Sequence, residues 1–337
     1  MASLNNKILL GHGSGGKLMH GLIRELLLKK LDNPVLKELS DSALIPYQEK
    51  LAFSTDSFVV SPLFFPGADI AKLAVCGTVN DLVMQGARPE YLSLALIVEE
   101  GLDYRILARV VDSLSKNARK AGVFFVTGDL KVVEKGSCDK LFINTSGIGR
   151  TVYKKDLSVR NICPGDRVIL TGNIAQHGLA VLSKRKELDL ELGVKSDCAA
   201  LNRLILPVIA KTSSVKFMRD PTRGGLATTL NEIAEASKSG IIIEERNIPI
   251  SQKVRAASEL LGIDPLYVAN EGIAVMIVAA HAAEKVLCLL KRHPLGKNSR
   301  IIASVTREPR GRVILKTILG TERIVDMLVS DPLPRIC

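Results

Sequence analysis

Three kinds of residue here could do chemistry: a glycine-rich stretch ending in lysine, aspartates scattered through apolar surroundings, and a cysteine in last place. The stretch GHGSGGK spans residues 11–17. It fits GxGxxG, which is weak alone. It also fits GxxxxGK, but Leu18 stands where a phosphate loop needs Ser or Thr to hold magnesium. What survives is physical. Around Gly13, Ser14, Gly15 and Gly16 backbone N–H groups can approach an anion closely, and Lys17 adds a positive point charge. The alternative is a flexible loop capping the next helix.

The aspartates are Asp41 in LSDSALIP, Asp56 in FSTDSFVV, Asp81 in AVCGTVNDLVMQGA, Asp129 in VTGDLKVV and Asp220 in MRDPTRGGL. Each alone reads as a cap or turn residue. Together they suggest hard oxygen ligands for magnesium carrying a nucleotide. The segment DPTRGGLATTLNEIAEA (220–236) is the most specific internal motif. Asp220 and Thr222 can cap the following helix, whose N-terminus is a ready anion site, and Arg223 offers a planar fork to phosphate. Lys131 falls on the same side of an extended segment as Asp129. Glu271 precedes the apolar run IAVMIV, as a general base or a solvated turn. Of the histidines only His12 lies inside a candidate site. Cys337 follows Pro332 and Pro334 in a tail that cannot be an ordinary helix. Counted from Asp326 that tail reaches about 36 Å when extended, a swinging arm with a reactive tip. Prenylation is not expected, because no residues stand after the cysteine as a CaaX signal would need.

Apolar periodicity and stop signals give the elements that must position these residues. Helices are expected over Lys17–Leu31, Ala71–Gln85 (stopped by Gly86 and Pro89), Tyr104–Ala121 (stopped by Gly122), and near 177–187, 198–211 and 281–292. Strands are expected at 51–60, Val123–Thr127, Lys140–Ile148, Arg167–Thr171, 240–245 and 273–279. With 337 residues, two domains are the natural division, 1–155 and 156–325, followed by the tail 326–337.

Composition narrows the function classes. Aromatics are 4% of the chain and Trp is absent, which suits an α/β core better than a stacking surface for single strands. The net charge of +11 is scattered without a basic stripe, so nucleic acid is not the expected partner. Six cysteines without a CxxC pair point to reduced thiols and no zinc site. No signal peptide or membrane-length apolar run is visible, so a soluble cytoplasmic protein is expected.

The combination GHGSGGK, TDSFVV, NDLVMQGARP, GDLKVV, RDPTRGGLATTLNEIA, NEG and a terminal PRIC resembles the hydrogenase-maturation carbamoyl dehydratases of the AIR-synthase-like superfamily, over essentially the whole chain. The resemblance implies two α/β domains, a homodimer built by pairing N-terminal sheets, and ATP with Mg2+ in a cleft. Asp41, Asp56, Asp81 and Asp220 would hold metal and phosphates. The glycine-rich loop, Lys17, Gly128, Asp129 and Arg223 would contact the nucleotide. Cys337, Glu271 and Lys131 would be catalytic: ATP would dehydrate a carbamoyl group on Cys337 to a thiocyanate, with Glu271 removing amide protons. Implied partners are the carbamoyltransferase HypF and the HypC–HypD complex, the cyanide serving the iron of NiFe hydrogenase. Leu130 departs from the family's usual Thr. Two rivals stand beside this reading. Another AIR-synthase-like enzyme has no use for a terminal cysteine arm, and a non-catalytic basic module does not explain the aspartates.

Overall fold

The computed structural model describes residues 16–22, 24, 43–46, 50–185, 192–328 and 336. The first half begins with α1 (Lys17–Leu22), β1 (Ala43–Pro46) and β2 (Lys50–Phe58). A small hairpin, β3 (Phe64–Phe65) and β4 (Ala68–Asp69), leads into α2 (Ile70–Met84). Then follow β5 (Ala87–Glu99), α3 (Tyr104–Ala121), β6 (Phe124–Val133) and β7 (Leu141–Thr151). Its five-stranded sheet has the order β1-β2-β7-β5-β6, with only β5 and β6 parallel.

Along β2, Ala52, Ser54 and Phe58 are buried while Phe53, Thr55 and Ser57 are exposed. That period of two turns one face toward α2 and leaves the other bare. Asp69 caps α2, accepting from the Lys72 N–H at 2.8 Å, and Gly86 ends it at φ +66°. Nearly all of α2 is buried, because it packs on β2 and β7 and also against α3 and the second half. A helix apolar on every side can only be an interior one.

The second half runs β8 (Arg167–Leu170), α4 (Gln176–Leu182), α5 (Asn202–Ile209), β9 (Val215–Arg219), α6 (Gly225–Ser237), β10 (Gly240–Glu244) and α7 (Gln252–Leu261). It ends with β11 (Val275–Val278), α8 (Ala283–Lys291), β12 (Arg300–Thr306), β13 (Val313–Lys316) and β14 (Glu322–Ile324). Its seven-stranded sheet has the order β14-β13-β10-β12-β8-β11-β9. Buried residues of both halves form one continuous apolar core. No helix among the described residues is long and apolar enough to cross a membrane.

The chief correction is β5, a 13-residue central strand that periodicity did not announce. Pro89 reads as a stop signal, yet it lies inside the strand, where the register with β7 shifts between Pro89 and Tyr91. Such an irregularity accommodates a residue that cannot donate to the ladder. The strand expected at Val123–Thr127 continues to Val133 as β6, and β9, α7 and β12 to β14 were not foreseen.

Candidate active site

The site is organised by the loop Asn270–Gly272, just before β11. The Asn270 side chain donates to the carbonyls of Pro221 (2.8 Å) and Val268 (3.0 Å) and accepts the Ala175 N–H (2.7 Å). One buried amide thereby ties this loop to the DPTRGG segment and to the start of α4. The N–H groups of Glu271 and Gly272 both donate to one oxygen of Asp197, at 3.1 and 2.9 Å. A Cβ at Gly272 would collide with the Asp197 carbonyl, so only glycine permits this approach. From α2, Asn80 donates to the Glu271 and Ala199 carbonyls at 3.3 and 3.1 Å and accepts the Leu201 N–H at 2.8 Å. The first sheet's helix and the second half thus meet at this loop.

Glu271 is buried, and burial lifts its carboxyl well above the ordinary range. Asp220, Asp56 and Asp197 push the same way, while Arg223 opposes them. Asp56, half-buried on the helix-facing side of β2, is likewise raised by burial, against Arg223 and the Ser57 N–H at 2.8 Å. These five groups, drawn from both halves, therefore share one electrostatic neighbourhood. Asp81 joins the face of β2 that carries Asp56, since Ser54 donates to it at 2.6 Å. Several carboxylates around one cation, two of them with proton affinity raised by burial, suit proton transfer beside an anionic ligand.

Asp220 is buried at the end of β9. It does not cap α6, and neither does Thr222. The helix is capped by Gly224 with no side-chain bond. Two consecutive left-handed glycines, Gly224 (φ +71°) and Gly225 (φ +62°), turn the chain through its backbone instead. A Cβ at Gly225 would run into the Leu266 and Val268 carbonyls. With Arg223 beside it, the end of α6 keeps the form of an anion site.

The relatives can now be set beside this geometry. The AIR synthase related protein N-terminal domain matches residues 39–151, and its C-terminal domain matches residues 163–316. The carbamoyl dehydratase HypE of Cupriavidus necator is 45% identical over 335 residues, 99% of this chain and 95% of that protein. This chain belongs to the HypE carbamoyl dehydratase family. Its fold is the two-domain AIR-synthase-like mixed α/β fold. It is similar to a HypE–HypF complex chain at a TM-score of 0.87 and 46% identity, covering 91% of this chain and 99% of the other. It is also similar to a HypE bound to ATP, at 0.83 and 47%, covering 98% and 100%.

Within this family frame the expected residues divide. Asp56, Asp81, Asp220, Arg223 and Glu271 converge; Asp129 and Lys131 do not join them. Those two pair with each other at 3.1 Å on β6, exposed. Their row across the sheet is Ser57–Asn144–Ala95–Asp129, which projects from the bare face, opposite to Asp56. Three strand spacings, roughly 14 Å, also intervene. Gly128 is fixed by strand approach, since a Cβ there would press on the Leu94 carbonyl at 2.6 Å. Lys17 donates its N–H to the Leu328 carbonyl (2.9 Å) and pairs at the surface with Asp326 (3.5 Å). The Gly16 carbonyl accepts the His20 N–H. His12, Gly13, Ser14, Gly15, Asp41 and Cys337 lie outside the described residues.

Among the described residues no three His, Cys, Asp or Glu side chains are arranged to hold a metal ion by themselves. The donor set still suits magnesium, which typically binds through one or two carboxylates and completes its shell with phosphates and water. Of the carboxylates expected to do so, Asp56, Asp81 and Asp220 are among the described residues. Sequence reasoning missed Asp197, Asn270 and His177. Asp197 and His177 act through backbone groups distant in sequence, and no local pattern announces that.

Proposed function

We propose that this chain dehydrates an S-carbamoyl group on its own C-terminal Cys337 to a thiocyanate, using Mg-ATP, in the maturation of NiFe hydrogenase. The observation that carries the reading is Glu271: a buried carboxyl with raised proton affinity, set among Asp56, Asp220 and Arg223 near the start of α6, which has no side-chain cap. Relatives at this level of identity are carbamoyl dehydratases, one of them bound to ATP.

In the reaction the amide oxygen of Cys337–S–C(=O)–NH2 attacks the γ-phosphorus of ATP, and ADP leaves. The amide nitrogen then loses both protons as the C–O bond breaks. Products are S–C≡N, ADP and inorganic phosphate, which carries away the former amide oxygen. Magnesium, held by Asp56, Asp81, Asp220 and Asp41, would offset the phosphate charge. Arg223 and the α6 terminus stabilise the charge spread over the transferring phosphoryl group. Glu271 takes one amide proton, for which a raised pKa is the useful adjustment, and the departing phosphate takes up the other. Lys17, with Gly13, Ser14, Gly15 and Gly16, would cover the phosphates.

HypF would load the carbamoyl group, in keeping with the HypE–HypF complex of a relative, and the HypC–HypD pair would accept the cyanide. Intact-protein mass spectrometry tests the scheme. With HypF and Mg-ATP, wild type should gain one carbamoyl mass at Cys337 and then lose one water. Glu271→Gln should stop at the carbamoylated stage, with dehydration slowed about 10²–10⁴-fold. Modification at another cysteine, or unimpaired dehydration in the variant, would sink the assignment.

A further inference from the structure

One fully buried polar side chain has no part in the chemistry above. His177, on α4, places Nε2 2.9 Å from the carbonyl of Ile336, the residue before Cys337. A carbonyl can only accept, so Nε2 carries the proton. Nδ1 then accepts from the Ser196 hydroxyl at 2.9 Å, and the Ser196 oxygen in turn accepts the Cys198 N–H at 3.1 Å. Burial lowers the imidazole pKa to about 4, which keeps this neutral tautomer in place at ordinary pH. Phe65 stands edge-on to the ring at 5.4 Å and restricts its tilt. Ile336 is itself buried, and its carbonyl would be costly to bury unpaired.

We propose that His177 is a positioning residue for dehydration: it docks the chain end by gripping the peptide unit that joins Ile336 to Cys337. The inference rests on the reading that Cys337 carries the reacting group. Its force comes from shared supports. Gly178 donates to the Ala269 carbonyl at 3.1 Å, and Ala175 donates to Asn270, so α4 is fastened to the loop bearing Glu271. Ser196, which orients the ring, is followed in the chain by Asp197, which holds the Glu271 backbone. The same two segments therefore set both the base and the grip on the chain end. A single neutral hydrogen bond is also a grip that can be released, as a tail visiting a second enzyme requires.

The experiment uses full-length protein carbamoylated by HypF and then given Mg-ATP. Conversion is read on the peptide from Asp331 to Cys337. His177→Leu, which fills the space without a donor, should dehydrate at least tenfold more slowly, with carbamoylation rate and Mg-ATP affinity kept. His177→Gln, whose amide can donate to the same carbonyl, should recover most of the rate. In a second measurement that needs no turnover, alkylation of the unmodified Cys337 should be at least threefold faster in His177→Leu than in wild type. Equal dehydration rates in the Leu and Gln variants, or unchanged alkylation, would overturn the grip. Failure of wild type to dehydrate would instead overturn the proposed function, and the alkylation arm would still judge His177.

Discussion

Asp197 gives one carboxylate oxygen to two backbone N–H groups and leaves the other buried without a hydrogen-bond partner among the described residues. Burial pushes its pKa up to about 6, against the pull of those N–H groups. A carboxyl that holds its proton more tightly when folded contributes most to stability below about pH 4. That contribution is lost as pH rises through about 6. Asp197→Asn keeps an oxygen for both N–H groups and removes the titration. Relative to wild type it should gain up to about 3 kcal/mol of stability between pH 4 and pH 7. Urea unfolding of both proteins across that range checks this, and parallel curves would refute it. At this scale the sequence was half legible. Glu271 stood out through its motif, though as a solvated turn as readily as a base. Asp197 sits in VKSDCAA, and its partners come 74 and 75 residues later.

Elements were legible where a backbone signal marks their ends. Gly122 takes φ +76° and closes α3 where the sequence placed its end, and Gly86 does the same for α2 within a residue. The start of α6 was misassigned because the glycines turn the chain without a side-chain cap. The seating of α1 was not legible at all. His20 of α1 reaches Glu232 of α6 at 2.8 Å, and Arg219 of β9 reaches the same carboxylate at 2.7 Å. Burial raises the Glu232 carboxyl, but Arg219, His20 and Arg24 more than reverse that and hold it below its usual value. Its stabilising share is present above the unfolded pKa and fades as pH falls through the folded one. Since α1 directly follows the glycine-rich segment, Glu232→Gln should cost about 1.5–3 kcal/mol of stability and weaken Mg-ATP binding several-fold. Calorimetric titration and thermal unfolding are the measurements. Unchanged affinity would detach α1 from nucleotide binding.

At the scale of the whole molecule, the helices among the described residues cover only one face of the five-stranded sheet. On the other face Phe53, Tyr91, Ile97 and Ile148 are exposed, as is Phe124 at 70%. An exposed apolar sheet face is suited to an interaction surface, and the homodimer that the family resemblance implies would seat a second copy of the sheet there. Composition marked strands at 51–60 and Lys140–Ile148, but which face goes uncovered depends on where α2 and α3 pack, which the sequence of a strand does not say. A homodimer through this surface also bears on Lys131. Its pairing with Asp129 on the bare face, away from Glu271 of its own chain, sets it where two copies would meet. Tyr91→Lys combined with Phe124→Glu removes two aromatic contacts per copy, each worth about 1.5–3 kcal/mol when fully buried. Light scattering should then report a 36.5 kDa monomer, where the wild type is expected at twice that mass. Lys131→Ala should leave the dimer and Mg-ATP binding intact while slowing dehydration. A wild type that is already monomeric at micromolar concentration would leave the bare face without its assigned partner, and full dehydration by Lys131→Ala would remove Lys131 from the reaction.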